Sequence, residues 1–222
     1  MDGFSISDAY RRLYPDVGFG LVLIEATTEL ADAPGFNPYK RQKLRRMRRR
    51  RNLEDITTRI HAYRDFFQTF DQPCPLVNHL QRTIDSGFPR YSLLVDAHFM
   101  AEMCAGILVA VTDDDRFDGA LSLDVAEDGE TCRGMGGRLF TTRRGEIILR
   151  DEKEIVCVLC QGADEKTRVQ SDTRNVLFYA FGVPGIDRQY LMNGLTVAAD
   201  TVTEFGGGKV AFREVYQSGC RY

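Results

Sequence analysis

Residues 161–182, QGADEKTRVQSDTRNVLFYAFG, decide how this chain is read. Thr167, Val169 and Thr173 stand in the spacing T-x-V-x-x-x-T, and Val176-Leu177-Phe178-Tyr179 follows at once. A polar turn running into an apolar stretch predicts a buried strand entered from a loop. Such a loop can present hydroxyls and backbone N–H groups at a cleft.

Upstream, Gly145-Glu146 opens the strand IILR, and Ile155 to Cys160 reads as the next strand. Gly129-Glu130 precedes Gly134-Met135-Gly136-Gly137. Gly119-Ala120-Leu121-Ser122-Leu123 follows the acidic turn Asp113-Asp114-Asp115. Leu93-Leu94-Val95-Asp96 comes after Gly87-Phe88-Pro89.

Further out, GLVLIEATTE within 18–29 is apolar and β-branched, which predicts a strand. Pro34-Gly35 and Asn37-Pro38 mark a turn. A helix over 39–51 has Leu44 and Met47 as its few apolar anchors, and Asn52 is placed to cap the next helix. Ile56, Ile60, Tyr63, Phe67 and Phe70 recur at three- and four-residue steps, marking one buried face. Leu76, Leu80 and Ile84 predict a short helix stopped by Gly87. Ser92 opens a helix over 93–105, which puts His98 and Glu102 on one face. A last helix spans about 187–205, and Val210 to Tyr216 closes the chain as a strand. Helices gather early and strands late, so the expected class is α+β, with helices packed on a mostly antiparallel or mixed sheet. A length of 222 residues suits a single domain over 1–222 containing a basic helical segment at 34–52.

Composition narrows the class. Apolar residues make up 43% and charged residues 27%, ordinary for a globular protein. No apolar run approaches the ~20 residues of a membrane span. The start, MDGFSISDAYRRLYPD, lacks the charged and apolar regions of a secretory signal. Cysteines at 74, 104, 132, 157, 160 and 220 are scattered, mostly in apolar stretches, as expected of reduced thiols in a cytoplasmic protein. Cys157-x-x-Cys160 has no second pair to complete a zinc site and reads as two small strand residues. Neither a metal nor a cofactor is called for.

Charge is strongly polarised. Lys40, Arg41, Lys43, Arg45, Arg46, Arg48, Arg49, Arg50 and Arg51 are nine cations in a segment without an acid. Subtracting them from a net charge of −3 leaves the rest of the chain at −12. Such a blade suits RNA phosphates, whose binding would release counterions. A solvated face pairing with acidic surface, and a localisation signal, are the other readings.

In order and spacing, the elements over roughly 75–182 resemble the B3/B4 domain of the phenylalanyl-tRNA synthetase β chain. That family runs G-x-P, an L-V-D or V-V-D helix, D-x-D, G-x-I/L-x-L/V, G-E, a G-G or D-G turn, then S/T-x-V-x-x-x-T before an apolar strand. The resemblance implies a domain that receives aminoacylated tRNA ends and hydrolyses the ester of a wrongly attached amino acid. A free-standing copy would edit in trans. Such a site needs a side-chain pocket, backbone donors for an oxyanion and a positioned water. Gly134, Gly136 and Gly137 are the expected donors, with Gly162 opposite; Thr167 and Thr173 would orient water or the terminal ribose. Asp96 either lines the cleft or positions the loop carrying Asp113 and Asp115, itself a solvated turn or a weak metal pair. Lys166 and Arg168 suit a terminal phosphate or are plain surface charge.

The chain departs from the family pattern at two places. Ala110 stands where the bacterial motif has His, and Leu139 where it has an acid. That leaves His98 and Glu102 as the pair available for general-base work, with a half-buried structural pair as the other reading. Trans-editing is the leading expectation, a non-catalytic tRNA-binding module the second, and a free amino-acid sensor the third.

Overall fold

The computed structural model describes residues 3–28 and 33–217. Cys220 and Glu29, both used above, lie outside the described residues. The class is α+β, as expected. The strands are β1 (Phe4–Ile6), β2 (Gly18–Glu25), β3 (Leu108–Asp113), β4 (Leu121–Val125), β5 (Thr131–Arg133), β6 (Leu139–Thr141), β7 (Ile147–Arg150), β8 (Ile155–Val158), β9 (Gly162–Ala163), β10 (Val176–Phe181) and β11 (Lys209–Gln217). The helices are α1 (Asp8–Leu13), α2 (Phe36–Met47), α3 (Arg50–Gln68), α4 (Pro75–Ser86), α5 (Leu93–Ala105) and α6 (Arg188–Gly206).

The quoted stretch ends at the centre of the molecule. Every residue of β10 is buried, because β10 lies between β2 and β3 in an antiparallel sheet of order β11-β2-β10-β3. Tyr179 faces Leu21 on one side and Ala110 on the other. A strand enclosed on both edges and both faces has no use for polar alternation, which is why 176–181 is continuously apolar. Helix α6 packs on β2, β10 and β11 and against α5. Close approach requires Gly20: a Cβ there would stand 2.7 Å from Leu195 Cδ1.

A second sheet runs β1-β4-β7-β8-β9, parallel only at β1–β4. The two-stranded ribbon β5–β6 carries the glycine bend 134–137 at its tip. Gly134 forms an isolated antiparallel bridge with Asp164, which docks that bend on the segment leading into 165–173.

Two local expectations need correction. The basic segment is not one helix: α2 ends at Met47, Arg48 and Arg49 break the axis, and Arg50 and Arg51 belong to α3. The residue at the N-cap of α3 is Arg49, while Asn52 donates its Nδ2 to the Arg46 carbonyl at 2.7 Å. Among the described residues no helix is long and apolar enough to cross a membrane.

Candidate functional site

Met135 of the glycine bend and Arg138 beside it, together with Gly162, Ala163, Arg168 and Val169, line a cleft of about 680 Å³. Its apolar wall includes Phe67, Phe99, Phe140, Leu159 and Phe181. Its polar wall is built where α4 crosses α5. Helix α5 supplies His98 and Glu102, four residues apart, and α4 supplies His79. Glu102 is 1% exposed. His79 Nδ1 lies 2.9 Å from Glu102 Oε2, and His98 Nε2 lies 3.4 Å from Oε1. The Val109 N–H also points to Oε1, at 3.4 Å. Phe99 packs beside both imidazoles, with ring centroids 4.9 Å from His79 and 4.8 Å from His98.

These contacts determine the charge state. Burial pushes the Glu102 carboxyl up, but the His98 charge and the two imidazole hydrogen bonds outweigh it and hold it below its ordinary range. Burial pushes His98 down, yet Glu102 and the Val109 backbone leave its pKa raised. A buried carboxylate is tolerated when it is paired and hydrogen-bonded in this way. An ionised Glu102 requires a proton on His79 Nδ1. In that tautomer Nε2 is the ring nitrogen that can accept a hydrogen bond. His79 was not anticipated from sequence; its place beside Leu80 on an amphipathic helix says nothing about which helix α4 will cross.

The remaining expected residues fall in three groups. Gly162 lines the cleft, with φ +115° and open space where a Cβ would be, so a ligand can approach its backbone closely. Arg168 also lines the cleft, its guanidinium 3.0 Å from Glu165, and Arg138 joins it there over the Phe140 ring. Phe140 presses on Gly134, whose added Cβ would collide with the ring edge.

A second group is present but occupied. The Gly134 N–H donates to the Arg138 carbonyl at 2.7 Å and that of Gly137 to the Gly134 carbonyl at 3.1 Å. The Gly136 N–H donates to the Glu165 carboxylate. The three glycines are not among the residues lining the cleft, and their N–H groups are engaged within the ribbon or by Glu165. Thr167 is fully buried and gives its hydroxyl to Asp164; Thr173 gives its own to Asp113 Oδ2 at 2.7 Å. Both threonines brace the loop and neither lines the cleft. The T-x-V-x-x-x-T spacing is a folding signal here.

A third group does other work. Asp96 is buried away from the cleft, accepting from Lys40 Nζ at 2.5 Å and from the Tyr91 N–H at 2.9 Å. Lys40 also donates to the Pro89 carbonyl at 2.7 Å. Lys40 is therefore a bolt between α2 and α5, with no part in a cationic surface. Lys166 is held by Asp118, Asp151 and Glu154 at 2.7, 2.9 and 2.9 Å. Those three acids could gather a metal ion, but the ammonium occupies their centre. Asp113 accepts from the Asp115 N–H and from Arg116 as well as Thr173, a structural turn.

The other expected phosphate ligands, Arg41, Lys43, Arg45, Arg46, Arg48, Arg49, Arg50 and Arg51, stand at the surface, Lys43 half-buried. Arg48 donates to the Ile84 carbonyl, and Arg50 pairs with Glu54 at 2.9 Å. Arg45 and Arg46 close the C-terminal turn of α2, where the helix dipole favours cations; Arg50 and Arg51 open α3, where it opposes them. Cys74, Cys104, Cys132, Cys157 and Cys160 are free thiols, and burial raises Cys157 and Cys160 far from thiolate chemistry.

Neither a protein-family model nor a curated protein matches the sequence. Among solved structures, the fold is similar to an N-terminal fragment of the phenylalanyl-tRNA synthetase beta subunit from Pyrococcus horikoshii. The TM-score is 0.55 at 11% identity, over 96% of this chain and 53% of that one. The chain thus spans about half the length of that fragment. At this identity the likeness shows the fold alone.

Proposed function

We propose that this protein binds tRNA and hydrolyses wrongly charged aminoacyl-tRNA in trans, in the cytoplasm. One observation carries the reading: an apolar cleft of about 680 Å³ whose wall bears a buried carboxylate shared by two imidazoles. The aminoacyl side chain enters the aromatic wall, and Arg138 and Arg168 take the terminal phosphate. Glu102 fixes the His79 tautomer so that Nε2 accepts a proton from water as oxygen attacks the ester carbonyl. The acyl C–O bond breaks, and the proton passes to the departing ribose oxygen. The products are free amino acid and uncharged tRNA. The folding likeness to a tRNA synthetase subunit fragment and the arginine blade support the RNA half of this reading.

A non-catalytic tRNA-binding module is the second reading. The engaged N–H groups of Gly134, Gly136 and Gly137 favour it, since a ready oxyanion hole is missing at that bend. Release of amino acid from a panel of correctly and wrongly charged tRNAs separates the two. One mischarged species losing its amino acid establishes editing; tight binding with every ester intact establishes the passive module.

A further inference from the structure

A second cleft, of about 490 Å³, opens between α2, α3 and α6, away from the histidine site. Lys43, Arg46 and Arg59 line it together with Asp55 and Asp200. Among the described residues, these cations and acids form no ion pairs with each other or with any neighbour. Arg59 is fixed in place, donating Nε to the Ala105 carbonyl at 2.6 Å with its guanidinium 4.2 Å from the Tyr190 ring centroid. The Lys43 and Arg46 charges also act on the half-buried Cys104 thiol in the same wall.

A lone anion would meet two carboxylates here, and a metal ion would meet three cations. The lining suits a molecule that carries an anionic group and, a few ångströms away, hydrogen-bond donors. A ribonucleotide has that form: phosphate at one end, ribose hydroxyls and exocyclic amines at the other. Lys43 and Arg46 belong both to this cleft and to the arginine blade, so a strand lying on the blade passes the cleft mouth. We infer that this cleft binds one nucleotide unit of the RNA that the blade contacts, phosphate toward Lys43 and Arg46, donors toward Asp55 and Asp200.

The inference rests on the RNA-binding reading but is tested without turnover. The protein is titrated with ribonucleoside 5′-monophosphates, unphosphorylated nucleosides and inorganic phosphate, followed by chemical shifts of α3 and α6 amides. Expected are saturable shifts with at least one monophosphate, tenfold weaker or absent with nucleoside or phosphate alone, and competed away by tRNA. Arg46→Ala and Asp200→Asn, both at exposed positions, each weaken monophosphate binding tenfold or more. Equal response to inorganic phosphate, or indifference to Asp200→Asn, overturns the nucleotide assignment. Monophosphate binding untouched by saturating tRNA overturns the RNA source. Failure of ester hydrolysis in a separate assay leaves all of these outcomes standing.

Discussion

His79 Nδ1 lies 2.9 Å from Glu102 Oε2, joining α4 to α5 through a carboxylate that water does not reach. This relationship commits Nδ1 of His79 to the carboxylate and leaves Nε2 as its other ring nitrogen, the one proposed to accept a proton from water. If it does, His79→Ala lowers deacylation by roughly 100-fold, the low end of general-base contributions, while tRNA affinity stays constant. His98→Ala costs less, because His98 is committed to Glu102 and the Val109 backbone. Single-turnover rates check this; equal losses from the two variants would remove His79 from the mechanism.

The same triad predicts a pH profile for stability. A carboxyl held below its ordinary 4.5 stabilises the fold above that value and loses the contribution as pH falls through its folded pKa. An imidazole raised above 6.5 contributes below 6.5 and loses it as pH climbs through its folded pKa. Denaturant midpoints should therefore be highest between those two ordinary values and fall on either side. Glu102→Gln should flatten both flanks and cost about 3–5 kcal/mol. Identical profiles for the two proteins would contradict the assignment.

The arginine blade predicts salt dependence. Arg49→Ala, Arg50→Ala and Arg51→Ala together remove up to three phosphate contacts from the start of α3. The slope of log affinity for tRNA against log salt should shallow by about 0.7–0.9 per lost contact. Filter binding between low and moderate salt measures it, and an unaltered slope would clear these residues of phosphate contact.

Lys40 and Asp96 predict a stability contrast. Lys40→Met leaves a buried carboxylate unpaired and should cost about 3–5 kcal/mol. The double variant Lys40→Met, Asp96→Leu should recover much of that loss, since apolar replacements of buried pairs are often neutral. Chemical unfolding of the three proteins decides it. A single variant as stable as the parent would show that the pair is not desolvated.

Lys166 predicts a created metal site. Burial pushes the Asp151 carboxyl up, but backbone N–H groups and Lys166 overcome that and hold it at about 2. Its stabilisation is present above the ordinary 3.8 and fades as pH falls toward about 2. Lys166→Met removes the cation from among Asp118, Asp151 and Glu154, whose ligand atoms lie within 4.8 Å of one another. Millimolar Ca²⁺ should then raise the melting temperature of the variant and leave the parent unchanged, with water completing the coordination. No calcium response in the variant would sink that prediction.

Local signals carried much of the architecture. The limits of α5, the stop at Gly87, the buried face of α3 and the enclosed strand after Thr173 follow from periodicity and turn chemistry, which act within a few residues. A hollow edged by Gly134, Gly136 and Gly137 was the expectation, but of that bend only Met135 borders the cleft, alongside Gly162, while α4 and α5 supply its histidines and carboxylate. Nor was it legible which polar group did what. Lys40 and Arg41 are neighbours in one basic run, yet only the fold turns Lys40 inward onto Asp96. Thr167 and Thr173 carry the hydroxyls of a site but spend them on Asp164 and Asp113.

The sequence by itself determined most of the longer elements, the α+β class and the polarity of charge, since each is written in residues close together along the chain; α1, β1 and the break at Arg48-Arg49 were not read from it. Only the tertiary structure decided that His79 meets Glu102, that Lys166 sits among three acids and that the Gly136 N–H is held by Glu165. A side chain's chemistry depends on the partners and burial it finds, and those come from chain segments whose separation of 12 to 48 residues no local pattern encodes.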